Sequence, residues 1–328
     1  MIKFMNSKLQ VLKALSHEKP DRVPFNFWMD RRLMDRYEKQ FGHRHWRVTR
    51  YNADVIETFA SLDFPHGRRI EHEGSPWMTE PYPMSWDHIE KIPLPNPQHD
   101  NVYSNLQRDI QEFPNHAIFL DLITTFGVIA GMRGYENIYL DMLDHPDEFK
   151  ALSRRIGNVL NVAVERACKM GITALYLMED LATARGLSMS PDMMKEFCLD
   201  FAIEQVHIAK KYGIPVLFHS CGKIMDLLKP LIDMGICCIN PLQPHLNDFQ
   251  EFESLYGKDL AVYGGLDNSF IIPYGTPDEV RKHVLEVFEI LGSNDGSLIL
   301  STHDIPFDTP AENIETMIKT IVEQCHYN

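Results

Sequence analysis

Eight short apolar runs, spaced along the whole chain and separated by amphipathic helical patterns, limit its fold more than any other feature. The runs fall at residues 23–28, 54–59, 117–122, 174–178, 216–219, 237–240, 261–264 and 298–301. They are apolar almost throughout, as strands buried on both faces must be. Helical patterns lie between them. One covers 146–170. A second opens at Ser190-Pro191, a cap followed by proline at the first helical position, and stops at Gly213. A third runs from Thr276-Pro277 to Gly292, and a fourth opens at Thr309-Pro310. Repeated strand-then-helix order predicts an α/β fold, a (β/α)₈ TIM barrel, rather than a doubly wound open sheet. Eight strands favour the barrel, and no glycine-rich dinucleotide fingerprint follows the first of them.

The 328 residues are assigned to a single domain spanning 1–328. Residues 6–17 form an N-terminal helix with Leu9, Leu12 and Leu15 on one side. Residues 61–101 follow the second strand as a long loop insertion, rich in proline, histidine and charge and carrying Trp77, Met78, Tyr82, Met84 and Trp86. Such a loop rises from the catalytic face of a barrel and is expected to form a partial lid with an aromatic lining.

Charge narrows the function classes. Forty-six acidic residues against 32 basic ones give a net charge of −14, which excludes nucleic acid as a main partner. The start, Met1-Ile2-Lys3-Phe4-Met5-Asn6, has no signal-peptide run, and no apolar stretch approaches a membrane span, so the expected compartment is the cytoplasm. Six cysteines in a chain this long make no disulfide framework; Cys168, Cys198, Cys237 and Cys238 sit in apolar patterns and are expected to pack the core.

Residues just past the C-terminal end of each barrel strand line the active site. Here those positions hold Trp28, Asp30 and Arg31 after the first strand, Asp121 after the third, and Glu179-Asp180 after the fourth. His219 and Cys221 follow the fifth strand, Asn240 and Gln243 the sixth, Asp267 the seventh, and His303-Asp304 the eighth. A His and a Cys two apart at a strand end aim an imidazole and a thiolate to one side. With His303 they make a three-ligand set of the catalytic zinc type, which keeps one position open. Glu179 is a candidate fourth ligand or a competitor for that position. The spacing alone also suits a hydrogen-bonded His beside an inert Cys. Glu179 and Asp121 are the candidate proton carriers. Trp28, Arg31, Asp180, Asn240, Gln243 and Asp267 are the candidate substrate contacts.

Motifs along nearly the whole length resemble the uroporphyrinogen decarboxylase superfamily. They begin with Leu12-Lys13-Ala14-Leu15 and Lys19-Pro20-Asp21-Arg22-Val23-Pro24, and continue through Gly127 and Gly131-Met132-Arg133-Gly134-Tyr135-Glu136-Asn137. Glu179-Asp180-Leu181, Arg185-Gly186-Leu187, Ser190-Pro191, His219-Ser220-Cys221-Gly222, Gly264-Gly265-Leu266-Asp267 and Thr309-Pro310-Ala311-Glu312-Asn313 complete them. The resemblance implies a (β/α)₈ barrel and one of two chemistries. The decarboxylase branch works without metal and uses an early Arg-Gln-Ala-Gly-Arg-Tyr motif and a later Phe-Ser-Asp. This chain has Met29-Asp30-Arg31-Arg32-Leu33 at the first place and no Phe-Ser-Asp.

The other branch holds zinc-dependent methyltransferases of corrinoid systems, with His-x-Cys after the fifth strand and a further Cys after the eighth. Here Thr302-His303-Asp304 stands at the second place, so imidazole replaces thiolate. The resemblance therefore implies a zinc-dependent methyltransferase moving a methyl group between a small methylated substrate, such as a methoxylated compound, and a corrinoid protein. The corrinoid (cobalamin) is expected on a partner docked over the barrel mouth, since the chain has no Asp-x-His-x-x-Gly segment. A homodimer is common in such barrels. Two alternatives stand beside this: a metal-free decarboxylase, with Arg31, Arg32, Arg68 and Arg69 holding carboxylates, and a non-catalytic corrinoid- or metal-binding protein.

Overall fold

Seven of the eight apolar runs become parallel strands in the computed structural model, which describes residues 5–72, 75–292 and 296–327. They are β1 (Val55–Phe59), β2 (Ala117–Ile123), β3 (Ala174–Met178), β4 (Val216–His219), β5 (Cys238–Asn240), β6 (Ala261–Leu266) and β7 (Leu298–Thr302). Among the described residues they pair in chain order into one parallel sheet, curled into an open, distorted barrel with helices around it. The start of the chain, Met1 to Phe4, and Glu73-Gly74 of the insertion lie outside the described residues.

The expected first strand is the departure. Residues 23–29 fill the place between β7 and β1 but make only isolated bridges, Phe25 to Leu300 and Met29 to Ile305. The Asn26 N–H donates to the Leu300 carbonyl at 3.0 Å, the Leu300 N–H donates to Pro24 at 2.9 Å, and the Asp54 N–H donates to Phe25 at 2.9 Å. Pro24 has no N–H to offer a ladder. Asp54 pins the segment instead: its carboxylate accepts both Arg22 guanidinium donors at 2.7 Å and the Phe25 N–H at 2.9 Å. The eighth place is thus held by an irregular segment, and the ladder has seven strands.

Strand pleating sorts the side chains into two layers. Val55, Phe119, Tyr176, Leu217, Tyr263 and Ile299 point inward and form one cluster. Ile56, Ile118, Leu175, Phe218, Val262 and Leu300 point outward into the helical shell. The N-terminal helix Ser7–Leu15 closes the bottom of the barrel with Val11, Ala14 and Leu15, which join the inner cluster. Its buried face is therefore rotated from the expected one, and Leu9 is exposed.

Helices follow their sequence signals. Pro146–Met170 starts on proline and ends at Gly171 in the left-handed conformation. Ser190 caps Pro191–Met194 by accepting from the Met193 N–H. Thr276 and Glu279 form a capping box at Pro277–Val287. Ala311–Gln324 closes the chain. Among the described residues no helix is long and apolar enough to cross a membrane.

The insertion is more structured than a loop. Arg68–His72 pairs antiparallel with Ser75–Glu80 as a hairpin. Trp86, expected in the lid lining, is buried instead. Its ring stacks on Phe149 and His145, and its indole N–H donates to Asp141 at 3.0 Å.

Candidate metal centre

His219 ends β4, two positions after the inward-facing Leu217, so its imidazole enters the barrel mouth. Cys221 is the next inward position. His303 lies just past β7, in the row of inward-facing Ile299. Cys221 Sγ is 3.7 Å from His219 Nε2 and 3.6 Å from His303 Nε2. The three ligand atoms lie within 4.8 Å of one another, and the two imidazoles are stacked with centroids 5.2 Å apart. A tetrahedral metal with bonds of about 2.3 Å to sulfur and about 2.05 Å to nitrogen separates those atoms by about 3.6 Å. Both observed S···N distances meet that requirement, so the residues fit a tetrahedral ion.

A built shell surrounds the three. Asn240 is buried behind His219. Its amide nitrogen donates to the Tyr263 carbonyl at 2.6 Å, which turns its oxygen toward His219 Nδ1, also at 2.6 Å. Tyr176 Oη donates to the same oxygen at 2.7 Å. The Cys221 turn is held from several sides. Its N–H donates to Asp180 Oδ1, the Gly222 N–H donates to Gln243 Oε1 at 2.8 Å, and the Ile224 N–H donates to Asn247 Oδ1 at 2.9 Å. Gly222 adopts φ +100°, and a Cβ there would lie 2.7 Å from the Ala182 backbone. Asn247 escapes the sequence reasoning; it sits beyond the strand end in a helical turn, where nothing local marks it.

Two adjacent carboxylates separate at the end of β3. Asp180 faces the site, with Oδ1 3.6 Å from His219 Nε2. Burial alone would raise its pKa, but the contact with His219 outweighs this and holds it below the ordinary value. Glu179 faces the other way. It accepts from the Gly127 N–H at 2.8 Å and from the Thr124 hydroxyl, closing the N-terminus of the helix Thr125–Arg133. It lies outside the ligand cluster, which corrects its reading as a fourth ligand. Burial is the main reason its pKa rises to about 7. Burial alone would depress His219, but its bonds to Asp180 and Cys221 carry it up to about 10. His303 is driven down to about 4 by burial and by the neighbouring His219 charge.

The remaining candidates disperse. Asp121 sits below the site in the barrel, one carboxyl oxygen without a hydrogen-bond partner. Burial and then the Glu57 carboxylate raise its pKa well above the ordinary value. Asp267 accepts the Ser269, Phe270 and Ile271 N–H groups and contacts His245 at 2.5 Å, so its carboxylate is occupied by its own turn. Asn240 and the Gln243 side-chain oxygen support the ligands. The Trp28 ring lies 4.2 Å from the Arg47 guanidinium, and Trp28 and Arg31 share a shallow cavity with Asp304.

The family model described as uroporphyrinogen decarboxylase (URO-D) matches residues 68–324. A methylated-thiol–coenzyme M methyltransferase of Methanosarcina mazei is 23% identical over 211 residues, covering 62% of this chain and 52% of the relative. The chain thus spans about half the length of that relative. Among solved structures, a methyltransferase from Methanosarcina mazei superposes with a TM-score of 0.73 at 15% identity, covering 97% of this chain and 99% of the other. A glycosylated endo-β-1,4-xylanase from Gloeophyllum trabeum reaches a TM-score of 0.52 at 10% identity, over 95% of this chain and 99% of the other. At such identities the structural likeness is one of fold.

Proposed function

This chain belongs to the uroporphyrinogen decarboxylase family, and from that premise we propose that it is a zinc-dependent methyltransferase. It moves a methyl group between a small methylated substrate and a corrinoid carried on a partner protein. The observation that carries the reading is the spacing of His219, Cys221 and His303, which suits tetrahedral zinc with one position left for substrate. The methyl-transfer activity named for the Methanosarcina mazei relative supports the same chemistry.

When bound, zinc supplies Lewis acidity to the heteroatom that carries the methyl group. The chain's own residues do the rest. Asn240 turns Nε2 of His219 toward the metal position. Asp180 holds the Cys221 backbone and places a carboxylate beside the substrate heteroatom. Phe59 and Ile123, exposed above the strand ends, give the methyl group an apolar approach and the partner a surface to cover. With His303 in place of a second thiolate the ligand set carries less negative charge, which favours a methoxylated substrate over a thiol.

The decarboxylase reading needs arginines gathered at the mouth. Arg32 is instead tied to Asp30 and Arg68 to Glu80. Elemental analysis and methyl transfer from methylated donors to cob(I)alamin, followed by absorbance, test the proposal. It predicts near-stoichiometric zinc and loss of both zinc and transfer in Cys221→Ala. Full transfer activity in metal-free Cys221→Ala protein overturns it, and porphyrinogen turnover by metal-free protein establishes the decarboxylase instead.

A further inference from the structure

At the same, C-terminal end of the sheet as the metal centre, a cavity of about 320 Å³ opens between the ends of β1 and β2, the chain from Ala60 to Arg69, and the helix Thr125–Arg133. Its volume lies at the small end of the range for ligand sites, which suits a molecule with one ring. Phe59 and Ile123 line it at 57% and 54% exposure. Both continue the inward-facing rows of their strands, so they stand between the cavity and the barrel axis. Gly127 and Gly131, one turn apart, leave the helix face bare. A Cβ on Gly127 would lie 2.6 Å from Ile123 Cγ2, and one on Gly131 would lie 3.0 Å from Arg69 Nη2. These two glycines belong to the motifs that the metal centre leaves unexplained.

The cavity is also electrically polarised. Its floor holds Asp121, which burial and then the Glu57 carboxylate push toward the neutral acid. Its rim holds Arg69, which donates to the Gly131 carbonyl at 3.2 Å and, among the described residues, makes no ion pair. An anion is therefore drawn to the rim, where the Arg69 charge stands without a carboxylate partner, and not to the floor.

We propose that this cavity binds the substrate as a small carboxylic acid with a flat apolar body, its carboxylate against Arg69 and its apolar end directed past Phe59 and Ile123 toward the barrel axis. Guanidinium and carboxylate match in shape as well as charge. The reaction at the inner end rests on the methyltransferase reading; binding at the rim does not.

Binding is therefore tested on metal-free protein by titration calorimetry, with benzoate as the probe and benzamide as its neutral isostere. Benzoate should bind about tenfold more tightly than benzamide, as expected when a hydrogen bond to a charged group is lost. Arg69→Gln, a change at an exposed position, should erase that preference and leave the far-ultraviolet circular dichroism unchanged. Gly131→Leu should block both ligands. Benzoate binding no tighter than benzamide, or unchanged in Arg69→Gln, overturns the proposal, as does a wild-type protein that binds neither. Intact benzoate binding with no methyl transfer from any donor would instead sink the methyltransferase reading alone.

Discussion

Asn240 fixes the tautomer of His219. The Asn240 amide nitrogen is committed to the Tyr263 carbonyl, so the atom 2.6 Å from His219 Nδ1 is an oxygen that can only accept. Nδ1 therefore carries hydrogen, and in the neutral imidazole that binds a metal the lone pair is on Nε2, the atom beside Cys221. Asn240→Ala should weaken zinc binding by roughly 10- to 100-fold while the protein remains folded. Competition against a chromophoric chelator measures this; an affinity within about twofold of wild type would remove Asn240 from the role.

His303 supplies one of two imidazoles around a single sulfur, and thiolate is the alternative ligand at its position in the family resemblance. His303→Cys should therefore keep stoichiometric zinc, whereas His303→Ala and Cys221→Ala should lose it. Zinc at a hundredfold excess over its dissociation constant adds about 2.7 kcal/mol of stability. Thermal unfolding of the wild type and His303→Cys should thus shift upward by a few degrees on adding zinc, and that of Cys221→Ala should not. Equal shifts in all three would place the ion elsewhere.

Much of this is legible in the sequence because strands buried on both faces leave continuous apolar runs, and seven of these fall within two residues of the observed strands. The run at 23–28 misleads for the same reason. Apolar content reports burial and not backbone pairing, and Phe25 and Phe27 are buried without a ladder. His219, Cys221 and His303 are found because ligand types recur at strand ends. Strand parity separates the adjacent carboxylates: Tyr176 faces inward, so Asp180 does as well, and Glu179 faces the helices. The tie between Asn240 and Tyr263 depends on which strands are neighbours, which no local pattern records.

Glu179 gives the fold a pH dependence of its own. Its pKa rises from 4.5 to about 7, chiefly through burial, so the folded state favours the neutral acid. That stabilisation is fully present below pH 4.5 and is lost as pH rises through about 7. Between pH 4.5 and pH 8 the loss amounts to about 3 kcal/mol. Glu179→Gln keeps an acceptor for the Gly127 N–H and cannot ionise. Its unfolding free energy should gain on the wild type by about that amount over the same interval. Parallel denaturant-derived pH profiles for the two proteins would show that Glu179 is ionised in the fold throughout.

Trp77 and Trp86 belong to one aromatic-rich insertion yet differ in what they hold. Trp77 is 65% exposed on the hairpin. Trp86 packs between Phe149 and His145 and donates to Asp141, whose carboxylate also binds Arg133 at 2.8 Å. Trp86→Ala leaves a cavity and removes the indole donor from a buried carboxylate, so it should destabilise the protein by about 3–5 kcal/mol. Trp77→Ala should stay within about 0.5 kcal/mol of wild type. Zinc affinity should be unchanged in both, since neither ring touches the ligands or their supports. Guanidinium unfolding of the two variants decides the matter: comparable losses would mean that the hairpin, too, is anchored by its tryptophan.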